Sequence, residues 1–238
     1  MGGFACIPDG RERRAGASEA PRHCHDRAYA AVVLSGSYEE CGSSGRYRVG
    51  PGDVLLHDFF DAHLDRFGAS GAEIVNLALT ARPAARAGRL RDADEFARLA
   101  GADRAAAMAY LFEHFVQTVP SAADWPDRLA ADLRDDPDLR LDEWAARHDL
   151  AAESVSRGFG RLYGVTPSAY RAESRARLAF DRIVRSGDSL AAIAARTGHA
   201  DQSHMTRAIK ALTGATPKRW RTSNPFKTEL SGAAKIGA

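Results

Sequence analysis

Along the C-terminal half of the chain, apolar residues recur every three or four positions, which is the spacing of one buried helix face. The clearest case is a short segment Ser189–Arg196, a turn containing Gly198, and a second segment that starts at Asp201. Gly198 can adopt a positive φ and Asp201 is a good helix N-cap, so the pattern predicts a helix-turn-helix. The apolar stripe of the second helix consists of Met205, Ala208, Ile209 and Leu212.

The same pattern occurs about fifty residues earlier in the chain. The segment Leu141–Arg147 corresponds to Leu190–Arg196 at an offset of 49, and Ser156-Arg157 corresponds to Thr206-Arg207 at an offset of 50. One residue has therefore entered the middle of the repeat, and Asp149 occupies the turn position, where aspartate can also adopt the left-handed conformation. A duplicated unit indicates one task performed at two adjacent places. The alternative is two hairpins of a helical repeat protein, whose polar faces are only solvated.

The N-terminal half has short apolar runs separated by turn residues, which is typical of β-strands. The turn Pro51-Gly52-Asp53 combines the φ that proline favours with the freedom of glycine. We therefore predict an α+β chain with an N-terminal antiparallel β-barrel and a C-terminal all-α domain containing two helix-turn-helix units. The apolar runs are Tyr29–Leu34, Arg46–Val49, Val54–Leu56 and Ile74–Leu79.

The segment Arg86–Val119 lies between the two halves and carries an apolar stripe at helical spacing. We predict an amphipathic helix that packs on its own barrel or forms a helix-helix contact in a homodimer. No apolar run approaches the length that spans a membrane. Residues 1–17 and 223–238 are expected to be poorly ordered. The residues of the stripe are Met108, Leu111, Phe112, Phe115, Val116 and Val119.

Charge is distributed unevenly along the chain. Residues 139–222 hold 15 Lys and Arg against 8 Asp and Glu, whereas residues 1–138 hold 16 against 22. The near-neutral total of +2 therefore conceals a basic C-terminal part and an acidic N-terminal part. Because a phosphate backbone attracts the basic part, the composition favours nucleic-acid binding by the predicted helix-turn-helix units.

Residues of about 137–222 resemble the DNA-binding domain of the AraC/XylS family of bacterial transcription regulators. The resemblance rests on the string Ile193–Arg207 and on Gly214-Ala-Thr-Pro217 followed by Trp220-Arg221. It implies seven helices, with two helix-turn-helix units joined by a long helix, here Ala169–Arg185, and two recognition helices in successive major-groove segments. The residues that this resemblance places at the DNA are Glu153, Ser156, Arg157, Arg161, Gln202, Ser203, Thr206, Arg207 and Lys210.

The first recognition helix departs from the family pattern. Gly158 and Gly160 lie within it, and each glycine costs about 1 kcal/mol relative to alanine in a helix. Ala151 provides no side-chain cap. We therefore expect this helix to be the weaker or more adaptable of the two. In the second unit, His199 and Ile209 replace the usual phenylalanines, which changes packing rather than function.

Residues of about 18–80 resemble a cupin-type sensor domain, which is common at the N-terminus of this regulator family. The resemblance rests on His23-Cys24-His25, on Leu34-Ser-Gly36, and on Pro51-Gly52-Asp53 followed ten residues later by His63. In metal-binding cupins, such histidines face the barrel interior beside a glutamate. The resemblance therefore implies a divalent transition metal at His23, His25 and His63.

That metal site is incomplete in the sequence. Tyr29 stands at the usual place of the glutamate, Glu39 and Glu40 come too late to replace it, and His57 is interpreted as an ordinary strand-end histidine. The pocket therefore holds either a metal or, as a vestigial cupin, an organic ligand or nothing. Cys6, Cys24 and Cys41 show no paired spacing, so we expect free thiols in the cytoplasm, with a redox or metal-thiolate role for Cys24 as the alternative.

These features predict a sequence-specific transcription regulator that is cytoplasmic and nucleoid-associated. Its expected partners are double-stranded promoter DNA, a small-molecule or metal effector, RNA polymerase and a second copy of the chain. The alternatives are a metal-dependent, dioxygenase-like cupin enzyme fused to a DNA-binding module, and a structural nucleoid binder without a sensor. The expected divisions are residues 1–85 for the sensor, 86–136 for a helical linker, 137–222 for the DNA-binding domain and 223–238 for a flexible tail.

Overall fold

The computed structural model describes residues 10–80, 82–118, 124–136 and 138–222, and they form two compact units that separate near residue 121. Within these residues, the N-terminal unit contains eight strands and two helices. They are β1 (Gly10–Arg14), β2 (Ser18–Cys24), β3 (Tyr29–Gly42), β4 (Gly45–Val49), β5 (Asp53–His57), β6 (Ala62–Ala78), β7 (Ala87–Arg89), α1 (Ala93–Ala102), α2 (Arg104–His114) and β8 (Val116–Gln117).

The strands form one antiparallel sheet in the order β1-β6-β3-β5-β7-β8, with β2 also paired to β6 and β4 to β3. The predicted fold class is confirmed: an N-terminal antiparallel sheet precedes a helical region that carries the helix-turn-helix. The expectation of poor order is wrong for Gly10–Arg14, because these residues pair with β6 as strand β1. Residues 1–9 and 223–238 lie outside the described part of the chain.

The two faces of the sheet have different partners, because successive strand residues point to opposite sides. Ala30 and Val32 pack on one face with residues of α1 and α2, including Phe96 and Leu111. On the other face, Ala31 belongs to a separate cluster formed by the strands themselves. This second face surrounds the cavity described below.

The predicted amphipathic helix is two shorter helices. Asp103 interrupts it: its backbone NH bonds the end of α1, and its carboxylate accepts from Ala105 and Ala106 NH at the start of α2. The helical prediction is wrong after His114, because Val116 lies in strand β8 and pairs with Arg89 of β7. Val116 is 65% exposed, so it is not part of a buried stripe. Val119 lies outside the described residues.

The C-terminal unit contains seven helices over residues 124–136 and 138–222, and none of the helices described in either unit is long and apolar enough to cross a membrane. The connecting helix begins slightly earlier than expected, because Thr166 caps it through Ala169 NH. The helices are α3 (Trp125–Asp135), α4 (Leu141–Arg147), α5 (Ala152–Tyr163), α6 (Pro167–Arg185), α7 (Leu190–Arg196), α8 (Gln202–Thr213) and α9 (Pro217–Thr222).

The sequence repeat is also a structural repeat. Helices α4 and α7 both have 7 residues, and α5 and α8 both have 12. In the turns, Asp149 has φ 54° and Gly198 has φ 69°, so both adopt the predicted left-handed conformation. Leu150 NH donates to Ala145 O and His199 NH donates to Ala194 O, both at 3.0 Å. The residue that lacks a counterpart is therefore Ala200, directly before the N-cap of α8.

Candidate functional site

Helices α5 and α8 each bury one face and expose the opposite face. The buried positions are spaced by four residues, which places them on one side of a helix. They are Val155, Phe159 and Tyr163 in α5, and Met205, Ile209 and Thr213 in α8.

All nine residues that the sequence analysis assigns to the DNA contact lie on these two helices. Ser156 and Thr206, which correspond in the repeat, are partly buried at the margin of the exposed face. The exposed residues are Glu153, Arg157, Arg161, Gln202, Ser203, Arg207 and Lys210. Hydroxyl, amide and guanidinium groups on an exposed helix face can donate to base edges and phosphates.

The two recognition helices begin differently. The carboxylate of Asp201 accepts a hydrogen bond from His204 NH at 2.6 Å, whereas Ala151 makes no side-chain cap of α5. Both helices end at a left-handed glycine, Gly164 or Gly214. The expected absence of a side-chain cap on the first helix is therefore confirmed, while the ends of the two helices match.

Helix α3 supports the first helix-turn-helix, although the sequence analysis places it in a linker. Tyr163 donates from its hydroxyl to Asp127 at 2.9 Å, and Trp144 donates from Nε1 to Asp132 at 2.6 Å. The ring of Trp125 lies against Gly158, where an added Cβ would approach Cζ2 to 2.7 Å. The glycine that weakens α5 as an isolated helix therefore makes room for an aromatic ring. Sequence spacing gave no sign of this contact.

In the N-terminal unit, the sheet surrounds a cavity of about 170 Å³. Four of its lining residues are histidines from β2, β5 and β6 and from the turn after β2: His23, His25, His57 and His63. Its acidic lining residues are Glu12, Glu40 and Asp65. The cavity is therefore rich in groups that bind metal ions, and its carboxylates favour a cation.

The three predicted ligands lie together in this cavity. One possible ligand atom of each of His23, His25 and His63 lies within 4.8 Å of the other two. Strand pairing produces this arrangement, because His23 is the Cα partner of His63 across β2 and β6. His25 and His63 are buried and His23 is partly exposed.

Two of these imidazoles have a defined orientation. Nδ1 of His23 lies 2.9 Å from Pro21 O, and Nδ1 of His63 lies 3.3 Å from Asp61 O. A carbonyl oxygen only accepts, so Nδ1 carries the proton in each contact, and Nε2 of the neutral ring carries the lone pair that can bind a metal. Backbone carbonyls orient metal-ligating histidines in the same way.

Glu40 and His57 both line the cavity, contrary to their interpretation from the sequence. Glu40 is buried with its Oε2 3.5 Å from Nε2 of His57, and His57 stacks on Tyr29 with ring centroids 4.2 Å apart. The assessment that Glu40 comes too late is wrong, because the register of β3 shifts between Val33 and Tyr38. That shift exchanges the faces of the strand and turns Glu40 into the cavity.

The cavity changes the acid–base properties of its lining. Burial lowers the pKa of His57 and His63 well below the usual value, and neighbouring histidines lower it further, so both rings are neutral at neutral pH. Burial raises the pKa of Glu40, as do the charges of Asp65 and Asp61. The pKa of Asp65 is raised to about 7, first by burial and then by the charge of Glu12.

Cys24 and Cys41 are free thiols, as expected, and Cys41 is buried. Cys6 lies outside the described residues. Cys41 lies next to Glu40 in β3, and its sulfur lies 3.9 Å from Nη1 of Arg66. Cys24 lies between His23 and His25 but belongs to neither group of metal-ligand candidates in the described chain.

Residues 144–223 match the model of a family described as a helix-turn-helix domain. No curated protein matches the chain. Among solved structures, fatty acid-bound ToxT from Vibrio cholerae has 10% identity and TM-score 0.43, with 95% of each chain covered. The C-terminal domain of AraT from Geobacillus stearothermophilus has 19% identity and TM-score 0.40, covering 44% of this chain and 88% of that one.

A further similar structure is the DNA-binding domain of AdpA in complex with a target DNA, with 18% identity, TM-score 0.41, and coverage of 47% of this chain and 100% of that one. The matched helices, their exposed polar faces and the family match define a DNA-binding transcription regulator. Residues 144–223 form its helix-turn-helix domain.

Proposed function

We propose that this regulator controls promoters in response to an effector held in the cavity of the N-terminal unit. The DNA part of the proposal rests chiefly on one observation: α5 and α8 are equally long and present corresponding polar residues on exposed faces. Each helix reads base edges in one of two successive major-groove segments. As a promoter-binding protein it works in the cytoplasm, on the chromosome.

Within the interface, Arg157 and Arg207 are the strongest candidates for contacts with guanine or phosphate, because guanidinium groups bind both with paired hydrogen bonds. The hydroxyls of Ser156 and Thr206 are donors and acceptors at the margin of each face. Glu153 can accept from cytosine, and Gln202 can pair with adenine. The remaining residues of the proposed interface are Arg161, Ser203 and Lys210.

The effector part of the proposal rests on the cavity. A divalent transition metal is the first candidate effector, because one ligand atom of each of His23, His25 and His63 lies within 4.8 Å of the other two. Such a metal would shift regulation by binding more tightly to one state of the regulator than to another. A homodimer would read paired sites, and contact with RNA polymerase would transmit the result.

The DNA function is tested by selecting bound sequences from a random duplex pool with the full chain. We expect an enriched sequence, and affinity that falls with salt because the basic helices displace counterions. Arg98→Ala, on exposed helix α1 of the N-terminal unit, provides a charge-matched control with unchanged affinity. Equal binding to all sequences would contradict promoter recognition and favour a nucleoid binder.

The effector function is tested by elemental analysis of protein purified without a histidine tag, beside the double variant His23→Ala/His63→Ala. We expect a transition metal near one equivalent in the wild type and its loss in the variant. DNA affinity is then measured with and without the ion. If neither protein binds metal, the metal proposal fails, and small organic molecules become the effectors to screen.

A further inference from the structure

The deep end of the cavity contains a second group of possible metal ligands. One ligand atom of each of Glu40, His57 and His63 lies within 4.8 Å of the other two, and all three residues are buried. The group shares His63 with the three histidines described above but differs from them in containing a carboxylate. Strands β3, β5 and β6 supply one residue each.

We propose that a divalent transition metal binds at this deep site, with Glu40, His57 and His63 as its protein ligands. The proposal rests on metal binding by the cavity and identifies where the ion is held. The two groups take one ion at a time, because His63 has only Nε2 available while its Nδ1 donates to Asp61 O. When the ion occupies the deep site, His23 and His25 are not ligands, and His23 lies on the partly exposed side of the cavity.

Charge balance favours the deep site. Three neutral imidazoles leave both positive charges of a divalent ion uncompensated, and an uncompensated charge is costly to bury. The carboxylate of Glu40, a residue that is 3% exposed, compensates one positive charge of the ion by forming an ion pair with it. The nearby carboxylate of Asp65, also in the lining, adds negative potential. Arg14 is the cationic side chain in the cavity lining, and it already pairs with Glu12 at 2.6 Å.

The ligand atoms at the deep site are also oriented. His57 is held by its stacking on Tyr29, whose ring lies at 10° to the imidazole. The hydroxyl of Tyr29 lies 3.4 Å from Nε2 of His63 and gives up this contact when a metal binds that nitrogen. Glu40 lies directly across from Asp65 in the pairing of β3 with β6, so both carboxylates face the same space. Metal affinity at such sites depends on this fixed surrounding shell.

The ligand set selects the type of ion. Two imidazoles and one carboxylate suit Zn²⁺, Co²⁺, Fe²⁺ or Ni²⁺, whereas Cu⁺ prefers sulfur and Ca²⁺ prefers an all-oxygen shell. Three protein ligands also leave at least one position open. Co²⁺ is a suitable probe, because its absorption spectrum reports the number and kind of its ligands.

The experiment is a Co²⁺ titration of the full chain, with Zn²⁺ competition, for the wild type and four variants. We expect Glu40→Gln and His57→Phe to weaken binding by about tenfold or more. Glu39→Gln, one residue away on the opposite face of β3, is the matched control and keeps wild-type affinity. His23→Phe weakens binding less than His57→Phe does. Circular dichroism of the metal-free variants establishes that each is folded.

X-ray absorption of the bound ion then counts imidazole ligands. The deep site has two, from His57 and His63, and the count stays at two in His23→Phe. Wild-type affinity in Glu40→Gln and His57→Phe, or three imidazoles that fall to two in His23→Phe, would overturn the deep site while leaving metal sensing intact. If the wild type binds no ion, the deep site and the metal proposal both fail, and DNA recognition stands on its own test.

Discussion

The ring of Trp125 occupies the space beside the Cα of Gly158, where a Cβ would lie 2.7 Å from Cζ2. Trp125 opens helix α3 and Gly158 lies in the middle of α5, so the contact joins the supporting helix to the first recognition helix. A glycine that lowers helix stability locally thus permits packing between helices. Gly160 lies two residues further along the same helix, and no ring occupies the space beside its Cα.

We predict opposite effects for two glycine substitutions in α5. Gly158→Ala forces the ring of Trp125 to move, so we expect a loss of about 1–3 kcal/mol in the free energy of unfolding. Gly160→Ala meets its nearest atom at 3.8 Å and gains up to about 1 kcal/mol, because alanine favours the helix. Urea unfolding measures both. A gain in Gly158→Ala equal to that in Gly160→Ala would show that Trp125 does not restrict this position.

Removing the arginine of α8 should weaken DNA binding more than removing the corresponding arginine of α5. On a selected target sequence, we expect Arg207→Ala to weaken binding by about 1–3 kcal/mol if Arg207 reads a base. Arg157→Ala has the smaller effect, because α5 lacks the side-chain cap that Asp201 gives to α8. Electrophoretic mobility shifts at several salt concentrations separate base from phosphate contacts. Unchanged affinity in Arg207→Ala would remove this residue from the interface.

The buried pair Arg82–Asp58 should stabilise the loop between the two candidate ligands His57 and His63. Arg82 donates from Nε and Nη2 to Asp58, the shortest contact being 2.6 Å. Arg82→Gln removes both hydrogen bonds and the nearer of two cations from the buried carboxylate, while Arg86 stays 3.7 Å away. We therefore expect a loss of up to about 3 kcal/mol in the free energy of unfolding.

The control is Arg89→Gln, which breaks the exposed pair with Asp53 and costs less than about 1 kcal/mol. Thermal and urea unfolding of both variants make the comparison. Burial raises the pKa of Asp58, but the hydrogen bond and charge of Arg82 outweigh it and leave that pKa below its usual value. The advantage of the wild type over Arg82→Gln should therefore be present at neutral pH and shrink as the pH falls through the pKa of Asp58. Equal losses in the two variants would show that Arg82–Asp58 behaves as a surface pair.

Asp65 should make the stability of the metal-free protein depend on pH. Burial, followed by the charge of Glu12, raises its pKa from 3.8 to about 7 in the folded state. Between these two pKa values, the folded state holds a proton that the unfolded state releases. The free energy of unfolding of the wild type therefore falls as the pH rises from 3.8 to about 7. Asp65→Asn stays neutral, so its free energy of unfolding should rise relative to the wild type by about 1.4 kcal/mol per pH unit in this window.

Urea unfolding with a chelator, at pH values on both sides of the raised pKa, provides the measurement. The difference between Asp65→Asn and the wild type should become constant once the pH exceeds the pKa of Asp65. Both proteins are compared in the Glu40→Gln background, because the charge of Asp65 also raises the pKa of Glu40. The contributions of His57 and His63 occur in both proteins and cancel to first order. A difference that is independent of pH would show that Asp65 titrates alike in the folded and unfolded states.

The sequence by itself determined the helix-turn-helix repeat, because its signals are local. Apolar spacing, the Asp201 cap and the turn residues Asp149 and Gly198 all act within a few positions, and the structure agrees with each. The antiparallel strands of the N-terminal half follow from equally local alternation and turns. The three histidines were found because a motif preserves their spacing along the chain.

Only the tertiary structure decided which other residues meet them. Glu40 enters the cavity because β3 shifts register near Gly36, where a Cβ would collide with the carbonyl of Gly71 in β6. Trp125 likewise packs against the first recognition helix only because Gly158 leaves space for its ring. Both relationships join residues from separate elements, and the residue spacing within one element cannot encode a contact that another element completes.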